Sequence, residues 1–223
     1  MKGSRYKVDL HTHSIISHDG GISASGYEKI LQLGELDCIA ITDHNETGFA
    51  RIMQKKLGDR IIIGEEISTK QGEIIGLYLH ETIPGGISIE EAVASIKHQG
   101  GLVYVPHPFE HFRHGLQRDT LERIVTDIDI VEVFNGRGRF RGKPLLAQRF
   151  AQNNKLLQAA SSDAHGMSGM GQVSSTLSEF PTKRTMKHLL ESAILDKTYL
   201  PFFAFFTPFI NKVKNNVVLL GEN

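Results

Sequence analysis

The sequence predicts an α/β fold, an irregular TIM-like barrel of seven strands and intervening helices. Short apolar runs recur along the 223 residues, stretches with helical spacing separate most of them, and no linker or low-complexity tract divides the chain. Near-continuous apolar runs are typical of parallel strands covered by helices, and seven of them favour a barrel over an open sheet. We therefore expect a single domain over residues 1–223.

Seven apolar runs are the candidate strands, with candidate helices between them. The strands are expected at residues 6–10, 38–42, 61–67, 73–79, 102–106, 128–134 and 156–160. The helices are expected at residues 26–33, 49–57, 89–99, 145–153 and 185–194. Ser88, three residues ahead of Glu91, is typical of a capping box and indicates where the third helix begins. The fourth strand follows a short turn at residues 70–72 and is also compatible with a hairpin.

Composition narrows the expected partners and compartment. Twenty-five basic residues balance 25 acidic ones, so no global basic field favours long duplex nucleic acid or an anionic membrane. Recognition of phosphate must then be local. Cys38 is the single cysteine and suits a reducing cytosol, and we recognise no export signal near Met1. A cytoplasmic location is therefore expected.

A phenylalanine-rich segment lies near the C-terminus. Residues 200–210 read LPFFAFFTPFI. This stretch is shorter than the roughly 20 residues of a spanning helix, and Pro201 and Pro208 interrupt it. We expect no membrane span. Residues 199–223 are interpreted as a strand and helix packed on the barrel, as a homodimer or partner surface, or, least favoured, as a peripheral membrane contact.

Histidines and carboxylates follow most of the predicted strands. The carboxyl ends of parallel barrel strands lie on one face, so these side chains should converge in one pocket. Neutral imidazole and carboxylate groups bind Zn²⁺, Mn²⁺ or Fe²⁺. His11 and His13 lie two residues apart on a strand and point the same way, and Asp163 and His165 repeat that spacing. The sequence therefore predicts a metal site at this face.

Taken in order, the motifs resemble those of the PHP (polymerase and histidinol phosphatase) family over essentially the whole chain. They are His11-x-His13, Ser17-His18-Asp19-Gly20, Thr42-Asp43-His44, Gly64-x-Glu66, Pro106-His107-Pro108 and Ser162-Asp163-x-His165. The resemblance implies a distorted TIM-like (β/α)7 barrel with two or three divalent metal ions, Mn, Zn or Fe, at the C-terminal ends of its strands. The ligands that it implies are His11, His13, Asp19, His44, Glu66, His107, Asp163 and His165.

One position departs from the family pattern. Many members have a histidine at the start of the strand after the Gly-x-Glu segment, where this sequence has Glu73. Glu73 could ligate in its place, which leaves the identity and occupancy of one metal open. Asp43 either orients His44 or caps the following segment. Glu65 points to the face opposite Glu66, so solvent or a salt bridge is favoured over metal.

A cation-rich loop follows the sixth predicted strand. Residues 137–143 carry four cations in seven positions, and the planar fork of arginine matches the oxygens of a phosphate group. The candidate substrate contacts are Asn135, Arg137, Arg139 and, after the fifth strand, Arg113. Similar segments in PHP proteins favour Arg137. An ordinary solvated loop is the alternative.

These features predict a metal-dependent phosphoesterase, either a phosphatase or a phosphodiesterase or exonuclease. A metal-bridging hydroxide would attack phosphorus in a phosphorylated small molecule, a nucleotide or a short oligonucleotide, with His107 and Asp163 as acid or base support. The rival hypotheses are an amidohydrolase-like C–N hydrolase on a similar metal barrel and a non-catalytic metal-binding PHP module.

Overall fold

The computed structural model describes residues 5–213, which form a nearly closed barrel with helices around it. The strands are β1 (Tyr6–Asp9), β2 (Cys38–Ile41), β3 (Ile61–Thr69), β4 (Gly72–Leu77), β5 (Leu102–Val105), β6 (Ile130–Asn135), β7 (Leu157–Ser161), β8 (Ser175–Leu177) and β9 (Ile194–Leu195). The helices are α1 (Ala24–Leu33), α2 (Gly48–Leu57), α3 (Ile89–His98), α4 (Arg118–Arg123), α5 (Pro144–Asn153) and α6 (Met186–Leu190). The predicted α/β barrel class is confirmed.

The sheet has the strand order β7-β6-β5-β4-β3-β2-β1-β8-β9. The pairs β1–β2, β2–β3, β5–β6 and β6–β7 are parallel. The expectation of an all-parallel barrel is wrong for β4, which runs antiparallel to both β3 and β5. The alternative of a hairpin at this position is confirmed, because the turn between β3 and β4 is too short for a parallel crossover.

Two strands and one helix of the structure were not predicted from the sequence. Strands β8 and β9 pair antiparallel to each other, and β8 also pairs with β1. Both are two or three residues long, so they contain no apolar run to detect. The helix expected at residues 185–194 ends at Leu190, because Ile194 already belongs to β9. Helix α4 was not predicted.

Alternate residues of each strand divide the core into two layers. In β2, Ile39 and Ile41 face the cluster that includes the apolar sides of α1, α2 and α3, whereas Cys38 and Ala40 face a second cluster. That second cluster contains residues from β1, β3, β4, β5 and β6 together with α6. This alternation follows from the two-residue period of a strand. The capping box at Ser88 is confirmed, since its hydroxyl accepts from the Glu91 backbone NH.

The described part of the C-terminal segment packs on the barrel. Leu200 and Ala204 are buried against Phe134 and Ala160, whereas the neighbouring Phe202 is 61% exposed. The backbone forms a 3₁₀ helix over Phe202–Phe206 and is helical over residues 207–213, so the expected strand is absent from this part of the segment. The predicted segment also includes residues 214–223, which lie outside the described residues.

None of the helices within residues 5–213 combines the length and apolar character that a membrane crossing requires.

Glu65 is buried in β3, which corrects the expectation that it faces solvent or a salt bridge. Its Oε2 accepts from the Ile83 backbone NH at 2.9 Å, while Oε1 has no hydrogen-bond partner among the described residues. Burial raises the pKa of Glu65 to about 8. A neutral acid in this place is cheaper than a charge without a counterion.

Replacing Glu65 by Gln should remove one source of pH-dependent stability. Because the pKa of Glu65 is higher in the folded state, the wild type loses stability as pH rises from about 5 to about 8, by up to about 1 kcal/mol per pH unit. Glu65→Gln should lack this component and gain relative to wild type as pH rises. Urea unfolding of the metal-stripped proteins at pH 5, 6.5 and 8 measures it. A constant difference across this range would contradict the assignment.

Candidate metal centre

Nine predicted ligands converge at one end of the barrel. They come from the segments that follow β1, β2, β5 and β7, from β3, and from the start of β4. They are His11, His13, Asp19, His44, Glu66, Glu73, His107, Asp163 and His165. Eight of them supply ligand atoms to three groups in which all ligand atoms lie within 4.8 Å of one another. Glu73 is the exception.

The first group consists of the His-x-His pair and Asp163. The Nε2 atoms of His11 and His13 lie 3.1 Å apart, and Asp163 Oδ1 is 3.7 Å from His11 Nε2 and 3.6 Å from His13 Nε2. Glu66 Oε2 also lies 3.3 Å from His11 Nε2 and 3.2 Å from His13 Nε2. Ligands about 2.0–2.1 Å from a tetrahedral Zn²⁺ are separated by roughly 3.3 Å. These spacings therefore fit donor atoms around a shared cation.

The second group consists of His13, Asp19, His44 and His165. His165 Nε2 lies 3.1 Å from Asp19 Oδ2, and His44 Nε2 lies 3.7 Å from Asp19 Oδ1. The His13 ring stacks between the other two imidazoles, with centroid distances of 4.2 Å to His165 and 4.8 Å to His44. Three imidazoles and one carboxylate form a donor set that suits Zn²⁺, Fe²⁺ or Mn²⁺.

The third group consists of His11, Glu66 and His107. His107 Nε2 lies 3.0 Å from Glu66 Oε1. Glu73 is outside this group but close to it, with Oε1 3.7 Å from His44 Nδ1 and Oε2 3.8 Å from His107 Nε2. Glu66 therefore presents Oε1 to His107 and Oε2 to the His11–His13 pair, so it would help to hold ions on both sides.

The electrostatics of the centre favour a bound cation. Although burial raises the pKa of Glu66, His11 and His44 hold it well below its usual range. Although burial lowers the pKa of His44, Glu66 and Asp19 raise it to about 9. Without a metal, the ionised carboxylates raise the pKa of His11 and His44, whereas burial and the neighbouring His165 lower the pKa of His13 to about 3. His44 Nδ1 is buried without a hydrogen-bond partner among the described residues, as expected of an atom placed for a ligand that is not a protein group.

Glu132 supports the centre from β6 and was not predicted. Its Oε1 lies 3.2 Å from His11 Nδ1, and its Oε2 accepts from the His107 backbone NH at 2.7 Å. A carboxylate at Nδ1 fixes the imidazole tautomer that leaves Nε2 free to ligate. The signal that could have indicated its role is the presence of a single glutamate inside the apolar run of β6. The Asp43 carboxylate accepts from the Ser14 backbone NH and hydroxyl, so it ties the segment after β2 to the segment after β1 and does not serve as the predicted cap of the following segment.

The backbone is strained where three of the parallel strands end. Asn45, His107 and Asp163 have φ angles of 54°, 27° and 54°. This left-handed region is costly for residues other than glycine, and such strain clusters at functional sites. At His107 and Asp163 it turns the chain where two ligands must face the barrel axis.

Arg113 and Arg137 flank Asp163. Arg113 Nη1 lies 2.5 Å from Asp163 Oδ2, and Arg137 Nη1 lies 3.2 Å from Asp163 Oδ1. Both arginines line an open cleft of about 940 Å³ above the histidines. The structure does not bring Arg139 to the site, because its guanidinium lies over the Tyr199 ring, 5.5 Å from the centroid.

Asn135 is engaged by protein groups. Its Oδ1 accepts from Arg113 Nη1 at 2.8 Å and from the Arg137 backbone NH at 2.9 Å. Its Nδ2 donates to Glu132 at 2.8 Å and to Asp163 at 3.2 Å. These contacts position the two arginines and two carboxylates, so the structure favours a supporting part for Asn135 over the predicted substrate contact.

Fold and site together define a mixed-strand α/β barrel with three histidine–carboxylate groups able to hold metal ions. An uncharacterized protein of Methanocaldococcus jannaschii, MJ1587, is 39% identical over 150 residues, which are 60% of this chain and 84% of that protein. The chain belongs to the same family as MJ1587. A second protein of that organism, MJ0417, is 37% identical over 163 residues, 71% of this chain and 65% of the relative. No protein-family profile matches the chain.

Solved structures share the fold at low sequence identity. A two-domain protein of Bacteroides vulgatus, described as containing a predicted PHP-like metal-dependent phosphoesterase, superposes with a TM-score of 0.70 and 18% identity over 94% of this chain and 70% of that one. The lesion-specific endonuclease PfuEndoQ of Pyrococcus furiosus superposes with a TM-score of 0.66 and 14% identity, over 86% of this chain and 58% of that one. An amidohydrolase of Chromobacterium violaceum superposes with a TM-score of 0.58 and 18% identity, over 84% of this chain and 97% of that one.

Replacing Glu132 by Gln should weaken metal binding by about 10–100-fold, the usual effect of losing a residue that orients a ligand. If the new amide oxygen keeps the His107 NH, its NH₂ faces His11 Nδ1 and favours the tautomer with a proton on Nε2, which cannot ligate. Chelator competition with Zn²⁺ or Mn²⁺ measures the affinity. Glu65→Gln, a buried glutamate on the opposite face of β3, is the matched control. Wild-type affinity in Glu132→Gln would contradict the tautomer argument.

Proposed function

We propose that the protein is a metal-dependent hydrolase of phosphate esters of the PHP type. The observation that carries the proposal is the juxtaposition of three histidine–carboxylate groups that could hold metal ions with two arginines at one open cleft. Divalent ions bound by these groups would supply activation of water and polarisation of phosphoryl oxygens. The fold that the chain shares with a PHP-like phosphoesterase and with an endonuclease is consistent with this chemistry, although the activity rests on the site.

The residues of the chain divide the remaining work. Arg137 faces the cleft beside Asp163, where its guanidinium can turn toward the oxygens of a bound phosphate. Arg113 is held by Glu110 as well as by Asp163, so its charge stays fixed near the same place. His107 and Asp163 are the candidates to hold or pass a proton near the leaving group. The cleft admits a phosphorylated small molecule, a nucleotide or the end of a short oligonucleotide.

Cys38 does not compete as a protein nucleophile. It is completely buried at the start of β2, far from the strand ends that carry the ligands. Burial raises the pKa of its thiol to about 12, so the reactive thiolate is scarce at neutral pH.

Amide hydrolysis is the second candidate function. The fold that the chain shares with an amidohydrolase favours it, because the same donor set would serve either reaction. Two arginines beside the ligands favour a phosphate group over a neutral amide. We also predict that the ions are Mn, Zn or Fe, that the protein is cytoplasmic and that it forms a homodimer. A non-catalytic metal-binding role is the remaining alternative.

Metal-stripped protein should be inactive and should regain phosphoesterase activity with Mn²⁺, Zn²⁺ or Fe²⁺. The substrates are p-nitrophenyl phosphate, bis-p-nitrophenyl phosphate, nucleoside monophosphates, histidinol phosphate and short RNA. A His11→Ala/His13→Ala double variant should lose at least about 1,000-fold in rate, since the ions supply several kcal/mol of transition-state stabilisation. His98→Ala, an exposed histidine of α3, is the control. Silence of the metal-loaded wild type on every substrate would overturn the phosphoesterase proposal.

Replacing Arg137 by Gln should raise KM for the best phosphate ester by about 10–100-fold, because a charge-assisted hydrogen bond contributes roughly 1.5–3 kcal/mol. Arg139→Gln, from the same loop but outside the site, should leave KM unchanged. Metal content is measured in both variants, since Arg137 also contacts Asp163. Equal KM values in the two variants at full metal content would rule out the assigned phosphate contact.

A further inference from the structure

The helical residues 207–213 reach back to the metal centre. Asn211 Nδ2 donates to the backbone carbonyl of Asp19 at 3.0 Å and to that of His165 at 2.8 Å. Asp19 and His165 are 146 positions apart in the chain, yet both belong to the second metal-binding group. One side-chain amide therefore ties together the two loops that carry these ligands.

Two glycines make room for this helix. A Cβ at Gly21 would lie 2.7 Å from Asn211 Nδ2, and a Cβ at Gly166 would lie 2.8 Å from Thr207 Cγ2. Neither glycine has a positive φ, so the backbone does not itself require glycine at these positions. The close approach of residues 207–213 accounts for both, and each glycine lies within two residues of a ligand.

The Asp19 loop lies at the exposed edge of the metal centre. The side chain of Asp19 is 17% exposed, whereas those of His11 and His13 are fully buried. Within the loop, Gly20 N donates to Ser17 O at 3.0 Å and Ser17 Oγ donates to Asp19 Oδ1 at 3.1 Å, and the Asp19 carboxylate lies 3.1 Å from His165 Nε2. A restraint on the Asp19 carbonyl from outside the loop therefore limits where this carboxylate lies relative to His165.

We propose that Asn211 is a positioning residue for the group formed by His13, Asp19, His44 and His165, and that residues 207–213 brace this group from outside the barrel. The inference rests on the proposed function to the extent that this group binds a divalent ion. Asn211 touches neither ion nor substrate and acts through the two carbonyls. Residues that orient ligands in this way commonly affect metal affinity by about 10–100-fold.

The isosteric variant Asn211→Asp separates hydrogen bonding from packing. It keeps the size of the side chain but replaces the donating NH₂ by an oxygen facing two carbonyl oxygens. Asn211→Asp and Asn211→Ala should therefore behave alike. Gly21→Ala should reproduce the effect with Asn211 in place, because the added methyl group displaces the amide. Asn153→Ala, an exposed asparagine at the end of α5, is the matched control.

Titration of the metal-stripped full chain with Mn²⁺ alone and Zn²⁺ alone, followed by calorimetry and elemental analysis, tests the proposal. Asn211→Ala, Asn211→Asp and Gly21→Ala should each weaken one ion by about 10–100-fold, with the other ions bound as in wild type. The melting temperatures of the metal-stripped variants should match that of Asn153→Ala.

Two outcomes would overturn this role for Asn211. The first is wild-type affinity for every ion in both Asn211 variants, and the second is normal affinity in Asn211→Asp with loss only in Asn211→Ala. Wild-type protein that binds its ions but hydrolyses no phosphate ester would remove the proposed function and leave the role of Asn211 standing. Wild-type protein that binds no ion would overturn both.

Discussion

The metal centre depends on how the barrel closes. The segments that follow β1 and β7 are joined by backbone hydrogen bonds from Asp163 N to His11 O at 3.0 Å and from His13 N to Ala164 O at 2.9 Å. These bonds place the His-x-His pair beside the Asp-x-His pair. Asp9 adds to the join, because its carboxylate accepts from the Ser162 backbone NH and hydroxyl. A shift of one residue in this register would turn every ligand on one of the two segments away.

The ionisable groups buried at the metal centre affect the stability of the whole fold. The pKa of Asp9 is raised to about 7 by burial, against the lowering effect of its hydrogen bonds to Ser162. Glu66 and Asp163 are buried as well and stay ionised among histidines and arginines. Ion pairs of this kind rarely recover the whole cost of desolvation. Ions that bind the folded state would relieve the cost and stabilise the barrel by mass action.

The sequence predicted the parts of the site that have a local pattern. Several ligands, among them His11 and His13, stand directly after apolar runs, and the chain order of the motifs resembled that of one family of barrels. The supporting residues have no such pattern. Glu132 acts from inside an apolar strand, and Asn211 reaches the site only because the C-terminal helix folds back over it. Arg139 shares its loop and residue type with Arg137, so only the three-dimensional path of the loop separates them.

The same limit applies to the fold. Glu65 was expected to be exposed because strands alternate, but in a barrel both faces of β3 are covered, one by the interior and one by the surrounding layer. Strands β8 and β9 are too short to leave a signal in the sequence, and they form by pairing, β8 with β1 and β9 with β8. The hairpin at β4 was visible as an alternative, since the turn at residues 70–72 is short.

The antiparallel direction of β4 bears on the choice of metal. Strands β1, β2, β5 and β7 present residues after their last position to the site, whereas β4 presents Glu73 near its beginning, directly after a turn. A carboxylate here in place of an imidazole adds oxygen donors near His44 and His107. Harder ions such as Mn²⁺ and Fe²⁺ gain more from that exchange than Zn²⁺ does.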